Sequence, residues 1–266
     1  MLERIPEVIR PMLLEYRIRL ENLLHSKLFG VYLYNSIALG AFEKDKSDID
    51  FISVLTKELN GEEIRKLRML HKRLKKKYEY ASALEGMYIV IEDIGKVMPD
   101  IRPHIYCDHG KLHGYGCHNI NYVTWHTLKY NGVCVDSPDI GEYVREITRE
   151  NLAEAMNYNL NNYWRKKLDK KLIFLSDYMI EFSVLTLCRI LYTLESGKIV
   201  SKCQAAAYEL QRLPGDFRPI IREALRIRKS MPSESLYPSR IKRQKAVKEF
   251  IRYIIDYCNS KYQLPV

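Results

Sequence analysis

Residues 30–55 read GVYLYNSIALGAFEKDKSDIDFISVL, and they set the architecture of the first half of the chain. The aromatic and β-branched run Gly30–Ser36 predicts a strand that ends in a turn. Ser47–Leu55 alternates polar and apolar residues and predicts a second strand. Because side chains alternate along a strand, Asp48 and Asp50 are expected to point to the same side, about 7 Å apart.

Two ionised carboxylates on one strand face repel each other, and a divalent cation between them relieves that repulsion. Ser36 lies in the turn after the preceding strand, where its hydroxyl and the turn's N–H groups could hold phosphate oxygens. Mg²⁺ would then bridge the carboxylates and the phosphates. The alternative interpretation is a solvated strand edge, because Asp-x-Asp alone is a common sequence.

The rest of the chain changes character near residues 140–150. Gly86–Ile94 predicts a third strand and Val133–Pro138 a short fourth one, whereas β signals disappear from about Thr148 onward. Residues 95–140 are otherwise expected to be irregular. LSDYMIEFSVLTLCRILYTLESG (residues 175–197) predicts a buried central helix with Asp177 as its cap.

These patterns predict an α+β fold with two domains, 1–145 and 146–266. The first is a mixed sheet of about four or five strands with helices, and the second is an all-α helical bundle. A chain of 266 residues with 47% hydrophobic residues has enough apolar material for two cores.

Composition also narrows the function classes. No window approaches ~18 uninterrupted apolar residues, so no membrane partner is expected, and the charged N-terminus lacks the apolar core of a signal peptide. The six cysteines form no C-x-x-C pair, which favours free thiols and a cytoplasmic location. The net charge of +10 favours anionic partners such as nucleotides.

The order of these motifs resembles the nucleotidyltransferase superfamily that includes DNA polymerase β, whose signature is a strand, a Gly-Ser turn and a strand carrying Asp-x-Asp. More closely, the chain is similar to the aminoglycoside O-adenylyltransferases that act on streptomycin and spectinomycin. The resemblance runs over GVYLYNSIALGAF and KSDIDF and returns in LTLCRILYTLESGKIVSKCQAAAYELQRLP. It implies a nucleotidyltransferase domain, a helical bundle and an active site in the cleft between them.

The resemblance implies a catalytic role for each matching position. Asp48 and Asp50 bind two Mg²⁺ ions with the triphosphate of ATP. A hydroxyl of a small acceptor, such as an aminoglycoside or spectinomycin, attacks the α-phosphorus in line, AMP is transferred and pyrophosphate leaves. The positions that match nucleotide contacts are Asn35, Ser36, Ser47, Arg189 and Lys202.

Two positions depart from the family pattern. Asn35 stands where the family has Gly, and Asn is the next most tolerant residue for left-handed backbone, so the turn is expected to survive with an added side chain near the triphosphate. The family's general base is a glutamate on the next strand, for which Glu85 is the candidate. Alignment of the following apolar run puts Gly86, not Glu85, at the position of the general base. A bulge at Gly86 would restore Glu85 to the site.

A cationic acceptor requires an acidic pocket. Asp177 and Glu181 at the start of the central helix are candidates, with Trp164 as a stacking wall. The alternative interpretation of all three is helix capping and core packing.

Two other functions stay open. Asn35 and the unassigned base favour a binding protein that senses a nucleotide or ligand without turnover. The basic charge and the run Lys72–Lys77 favour an RNA-directed nucleotidyltransferase. No appended RNA-binding domain is recognised, however, so a nucleic-acid partner is not expected.

Residues 104–126 hold five of the seven histidines together with Cys107 and Cys117. These residue types can ligate a metal, but their spacing matches no zinc pattern. We expect a Gly-punctuated loop whose histidines form hydrogen bonds near the cleft.

Overall fold

The computed structural model describes residues 2–118, 120–170 and 172–265. The chain divides into two compact units, residues 1–147 and 148–266. The sequence pattern had placed this boundary between residues 145 and 146.

The first unit is built on a mixed six-stranded sheet in the order β5-β4-β3-β2-β1-β6. Only β2 and β3 pair in parallel, and the other four pairings are antiparallel. The mixed sheet confirms the predicted fold class, with more strands than the four or five expected. The strands are Leu28–Leu33 (β1), Ile49–Leu55 (β2), Leu84–Val90 (β3), His104–Asp108 (β4), Lys111–Gly116 (β5) and Val133–Cys134 (β6).

Four helices accompany this sheet, and they are Arg10–Leu24 (α1), Asn35–Ala38 (α2), Gly61–Lys77 (α3) and Tyr122–Asn131 (α4). α3 begins at a capping box, in which the Asn60 side chain accepts from the Glu63 N–H and the Glu63 carboxylate accepts from the Asn60 N–H. Apolar residues of α1 and α3 join one core with Phe51, Leu84 and Cys107 of the sheet. Because side chains alternate along a strand, the neighbouring residues of these three face away from that core.

A buried polar network lies inside this core. The Tyr88 hydroxyl contacts the Tyr16 hydroxyl at 2.7 Å and His71 Nε2 at 2.6 Å. The Tyr16 hydroxyl also contacts Ser53 Oγ at 2.8 Å. Burial lowers the pKa of His71 to about 4, so the imidazole is neutral in the folded protein at neutral pH.

The second unit is helical. Its helices are Arg149–Asn157 (α5), Arg165–Leu168 (α6), Asp177–Ser196 (α7), Lys202–Arg212 (α8), Arg218–Arg228 (α9) and Arg240–Tyr262 (α10). A π-helical segment, Tyr158–Trp164, joins α5 to α6. α7 is buried along most of its length and packs against α8, α9 and α10, as its apolar sequence predicted.

Two local expectations were wrong. Ser176, rather than Asp177, caps α7, because its Oγ accepts from the Met179 N–H at 3.3 Å. Residues 95–140 are not irregular, since they form the β4–β5 hairpin and α4. β5 is an edge strand with an exposed, Gly-containing sequence, and such a strand lacks the apolar alternation on which strand prediction depends. The π-helical segment was also not anticipated.

Over the described ranges, no helix combines the length and the apolar character that crossing a bilayer requires.

Candidate active site

The acidic cluster of the first unit is built on β2 and β3. Asp50 lies directly opposite Glu85 in the parallel register, and this register runs without a shift from Ile49–Leu84 to Leu55–Val90. Directly opposite residues share a sheet face, so the two carboxylates stand side by side, with about 4.8 Å between their strands. No bulge at Gly86 is needed, and that expectation was wrong.

Gly86 has a packing role instead. A Cβ at this position would lie 2.2 Å from the Phe51 carbonyl oxygen and 2.5 Å from its ring. Glycine therefore allows Phe51 to pack against the β3 backbone, on the face opposite Glu85.

Asp48 immediately precedes β2 and is exposed, whereas Asp50 is partly buried. Burial and the charges of Asp50, Glu85 and Asp48 all raise the pKa of the buried Tyr34 hydroxyl well above its usual range. Asp48 offers an oxygen within 4.8 Å of a carboxylate oxygen of Glu85, and Asp50 is opposite Glu85 in the register, so both aspartates lie on the side of Glu85. Neither is sealed beneath hydrophobic packing.

Glu85 is a strongly perturbed carboxyl group of the cluster. Burial raises its pKa to about 8, and the charges of Asp48 and Asp50 add to the effect. The charge of Asp108 contributes next, and a hydrogen bond with Asp108 further favours the protonated form. Such crowding of carboxylates is relieved by a bound cation or by a proton.

The turn between β4 and β5 completes this cluster. His109 Nδ1 lies 3.6 Å from Glu85 Oε1. Asp48, Glu85 and His109 each offer one ligand atom, and these three atoms lie within 4.8 Å of one another. Oxygen donors with one imidazole suit a divalent cation such as Mg²⁺ or Mn²⁺. The donor set thus fits the implied metal, with His109 rather than Asp50 in the tightest group.

Backbone conformation fixes this turn. His109 and Gly110 both have positive φ, 46° and 68°, as a two-residue hairpin turn with right-handed strand twist requires. A Cβ at Gly110 would lie 2.1 Å from the Ala81 carbonyl oxygen. Lys75 Nζ also donates to the His109 carbonyl at 2.9 Å. Asp108 and a catalytic role for His109 were not predicted from the sequence, although His-Gly between two short polar runs is a hairpin signal.

The turn after β1 lies next to Asp50. The Tyr34 N–H donates to the Asp50 carbonyl at 3.2 Å, and Asn35 follows with φ 50°. The expectation that Asn35 adopts the left-handed conformation is confirmed. The Ser36 hydroxyl is buried and has no hydrogen-bond partner among the described residues, which is unusual for a hydroxyl group.

Ser47 has a local structural contact. Its Oγ accepts from the Glu43 N–H at 3.0 Å and so closes the turn before β2.

Two cationic candidates lie in the second unit. Lys202 is the first residue of α8, and its Nζ lies 4.9 Å from the centroid of the Phe182 ring. Phe182 and Arg189 are seven residues apart on α7 and so share one face of that helix. Lys202 therefore lies over the face of α7 that carries Arg189.

The three residues predicted to contact the acceptor are packed or ion-paired within the helical unit. Trp164 is fully buried against Tyr163 and Phe182, so its ring is not an exposed stacking wall. Glu181 is buried and pairs with Arg228 at 3.1 Å. Asp177 is exposed and pairs with Arg243 at 2.6 Å.

An aromatic surface does exist beside these residues. Tyr178 is 68% exposed, and its ring stacks on Phe182 at 5.8 Å. One signal could have identified it, because Tyr178 and Phe182 are four residues apart and share a helix face.

A mixed sheet with acidic residues on adjacent strands, followed by a helical domain, defines a nucleotidyltransferase-type fold. The structure is similar to that of spectinomycin adenyltransferase AAD(9) from Enterococcus faecialis with ATP and spectinomycin, with a TM-score of 0.64 and 18% sequence identity. The similarity covers 91% of this chain and 97% of that chain.

Residues 142–257 match the family model of the aminoglycoside adenylyltransferase C-terminal domain. This match supports the predicted resemblance to the aminoglycoside adenylyltransferases and confirms it over the matched residues. No curated protein sequence matches the chain.

Proposed function

We propose that this chain is a Mg²⁺-dependent nucleotidyltransferase that transfers AMP from ATP to a hydroxyl group of a small acceptor. The observation that carries the proposal is the in-register pair of Asp50 and Glu85, with Asp48 on the same side. The family of residues 142–257 supports nucleotidyl transfer as the reaction class. The related AAD(9) structure holds ATP and spectinomycin, which supports an aminoglycoside or spectinomycin as the acceptor.

Asp48 and Asp50 would hold the metal, with Glu85 and His109 beside them. When bound, Mg²⁺ neutralises phosphate charge and stabilises the leaving pyrophosphate. The carboxylates themselves cannot approach a triphosphate without such a cation, because both carry negative charge. This explains why an acidic cluster can serve an anionic substrate.

Glu85 acts as the general base in this proposal. It accepts the proton of the acceptor hydroxyl as that oxygen attacks the α-phosphorus. A carboxylate with a raised pKa is a stronger base than an ordinary glutamate and remains effective near neutral pH. The contacts of Asp108 and His109 hold its side chain in place.

The turn after β1 binds phosphate oxygens. The Ser36 hydroxyl donates to one of them and thereby gains the partner that it lacks in the protein alone. The Asn35 carboxamide adds a second donor at a position where glycine would leave open space. Ser47 is the other serine that matches a phosphate contact. Arg189 and Lys202 supply positive charge for the pyrophosphate.

The two sequence features that favoured a ligand sensor are compatible with turnover. Asn35 adopts the left-handed conformation that the turn requires. Glu85 reaches the aspartates in a regular register. We therefore favour catalysis over ligand sensing without turnover.

Pyrophosphate release tests the proposal. Purified protein with Mg²⁺ and ATP or GTP is screened against spectinomycin, streptomycin and other aminoglycosides. At least one acceptor should stimulate release, and Asp50→Asn should reduce that rate by a factor of about 10³ or more. Asp45→Asn is the matched control, because Asp45 is exposed in the turn before β2 and should behave as wild type. Nucleotide binding without release for every acceptor would overturn the proposal in favour of a ligand sensor.

A further inference from the structure

The second unit contains a cavity that the proposed reaction does not use. It has a volume of about 440 Å³ and is lined by residues of α7, α8 and α10. This volume is within the range of pockets that hold small organic molecules. Leu191 and Glu195 line it from α7, about 200° and 240° around that helix from Arg189. The cavity is therefore on a different face of α7 from the nucleotide candidates.

The cavity contains a buried carboxyl oxygen that has no hydrogen-bond partner in the described part of the chain. Glu209 of α8 lines it and is only 1% exposed. Its Oε1 is buried and has no hydrogen-bond partner among the described residues. A buried glutamate oxygen is normally paired, because loss of hydration without a replacement hydrogen bond is costly. Glu209 therefore lacks a donor that an occupant of the cavity could supply.

The two cationic side chains near Glu209 pair with another carboxylate. Arg212 Nη2 forms a short ion pair with Glu195, and Lys261 Nζ lies 3.9 Å from the same carboxylate. Burial and the charge of Glu195 raise the pKa of Glu209 to about 7, although Arg212 and Lys261 lower it. Both positive groups thus pair with Glu195, and within the described residues neither forms an ion pair with Glu209.

The walls suit a cation with an apolar body. Tyr253 and Tyr257 line the cavity from α10, and their rings stack with centroids 5.7 Å apart. Leu191, Leu213 and Pro214 supply apolar surface. A carboxylate beside tyrosine rings is the combination that binds ammonium groups, through a charge-assisted hydrogen bond and cation–π attraction.

We infer that the cavity between α7, α8 and α10 is a second binding site, for a small ammonium compound with an apolar or aromatic body, in which Glu209 receives the ammonium group. The site lies within the helical unit, and it does not depend on the proposed nucleotidyl transfer.

The test uses the full-length chain and three probes of similar size: benzylamine, benzyl alcohol and benzoate. Binding is measured by ligand-observed NMR titration. Benzylamine should bind about 10- to 100-fold more tightly than benzyl alcohol, because a hydrogen bond to a charged partner is worth that factor. Benzoate should not bind. Equal affinity for benzylamine and benzyl alcohol would overturn the inference and indicate a water-filled cavity only.

Variants locate the bound probe. Glu209→Gln keeps the shape of the side chain and should weaken benzylamine by about tenfold or more while leaving benzyl alcohol within about twofold. Glu154→Gln is the matched control, because Glu154 is exposed on α5. Asp48→Asn should leave benzylamine unchanged, whereas loss of binding in this variant would place the probe at the acidic cluster and overturn the inference.

A second variant covers the possibility that Glu209→Gln does not fold. Leu213→Phe retains the carboxyl group and fills part of the cavity. It should weaken both benzylamine and benzyl alcohol, with folding checked by circular dichroism. Undiminished benzylamine binding in Leu213→Phe would contradict the assignment of this cavity.

Discussion

Individual residues of the acidic cluster are tuned by their neighbours. Glu85 is surrounded by three other carboxylates and by His109, and burial amplifies the effect of those charges on its pKa. Asp108 is the contributor that no sequence motif singled out. Its position at the end of β4 brings a fourth negative charge to the cluster.

Substitution of Asp108 should therefore change the pH dependence of the proposed reaction. Asp108 raises the pKa of Glu85, so Asp108→Asn should lower it. Since a general base must be deprotonated, the acid limb of the kcat/KM profile should move to lower pH. The measurement is a pH–rate profile with saturating Mg²⁺. Asp100→Asn, an exposed change elsewhere in this unit, should leave the limb in place; a shift of the limb to higher pH in Asp108→Asn would contradict the argument.

Asn35 gives a second prediction at the residue scale. A non-glycine residue without a polar side chain costs about 1–2 kcal/mol in the left-handed region, so Asn35→Ala should reduce the free energy of unfolding by about 1 kcal/mol. Asn35→Gly should be close to neutral in stability and should raise the KM for ATP, because it removes the carboxamide donor proposed for the phosphates. Urea unfolding and steady-state kinetics provide the two readouts. Equal stability of the Ala and Gly variants would show that the turn is not constrained.

At the scale of elements, the register of β2 and β3 positions the catalytic residues, and Gly86 protects that register. The Cβ of Gly86→Ala would overlap the Phe51 carbonyl oxygen, which belongs to backbone and cannot move aside. We expect a loss of at least about 2 kcal/mol in the free energy of unfolding. Gly114→Ala on β5 is the matched control, since a Cβ there meets no atom within 4 Å. Similar stability of both variants in urea would contradict the packing role of Gly86.

The sequence predicted elements where periodicity was strong. β2 and α7 have clear apolar patterns, and both were located to within about two residues. The β4–β5 hairpin was missed because an exposed edge strand does not need apolar alternation. The proximity of His109 to Glu85 depends on pairing between strands distant in sequence, which a local pattern cannot reveal. The burial of Trp164, which rules out an exposed stacking wall, could not be predicted because burial is set by tertiary packing and not by residue type.

At the scale of the whole molecule, the buried network around His71 links stability to pH. The folded state holds the pKa of His71 near 4, below its value of about 6.5 in an unfolded chain. The unfolded state therefore binds the proton more readily between these values, and the free energy of unfolding falls as pH decreases from about 6.5 to 4. The full effect is about 3 kcal/mol.

Urea unfolding at several pH values between 4 and 7.5 tests this linkage. The difference in unfolding free energy between wild type and His71→Gln should change with pH by about 2–3 kcal/mol, because the variant has no imidazole to titrate. Groups that titrate equally in both proteins cancel in the difference. A pH-independent difference would show that His71 is accessible to protons in the folded state.

The two edge strands of the sheet affect the tendency of the protein to aggregate. One border is β6, which is only two residues long, and the other is β5, where Lys111 and two glycines interrupt any apolar surface. A very short edge strand and an edge strand with a charged residue both resist pairing with a strand of another molecule. Concentrated preparations of the purified chain should therefore remain free of thioflavin-positive fibrils, and Lys111→Val together with Gly114→Val should promote them.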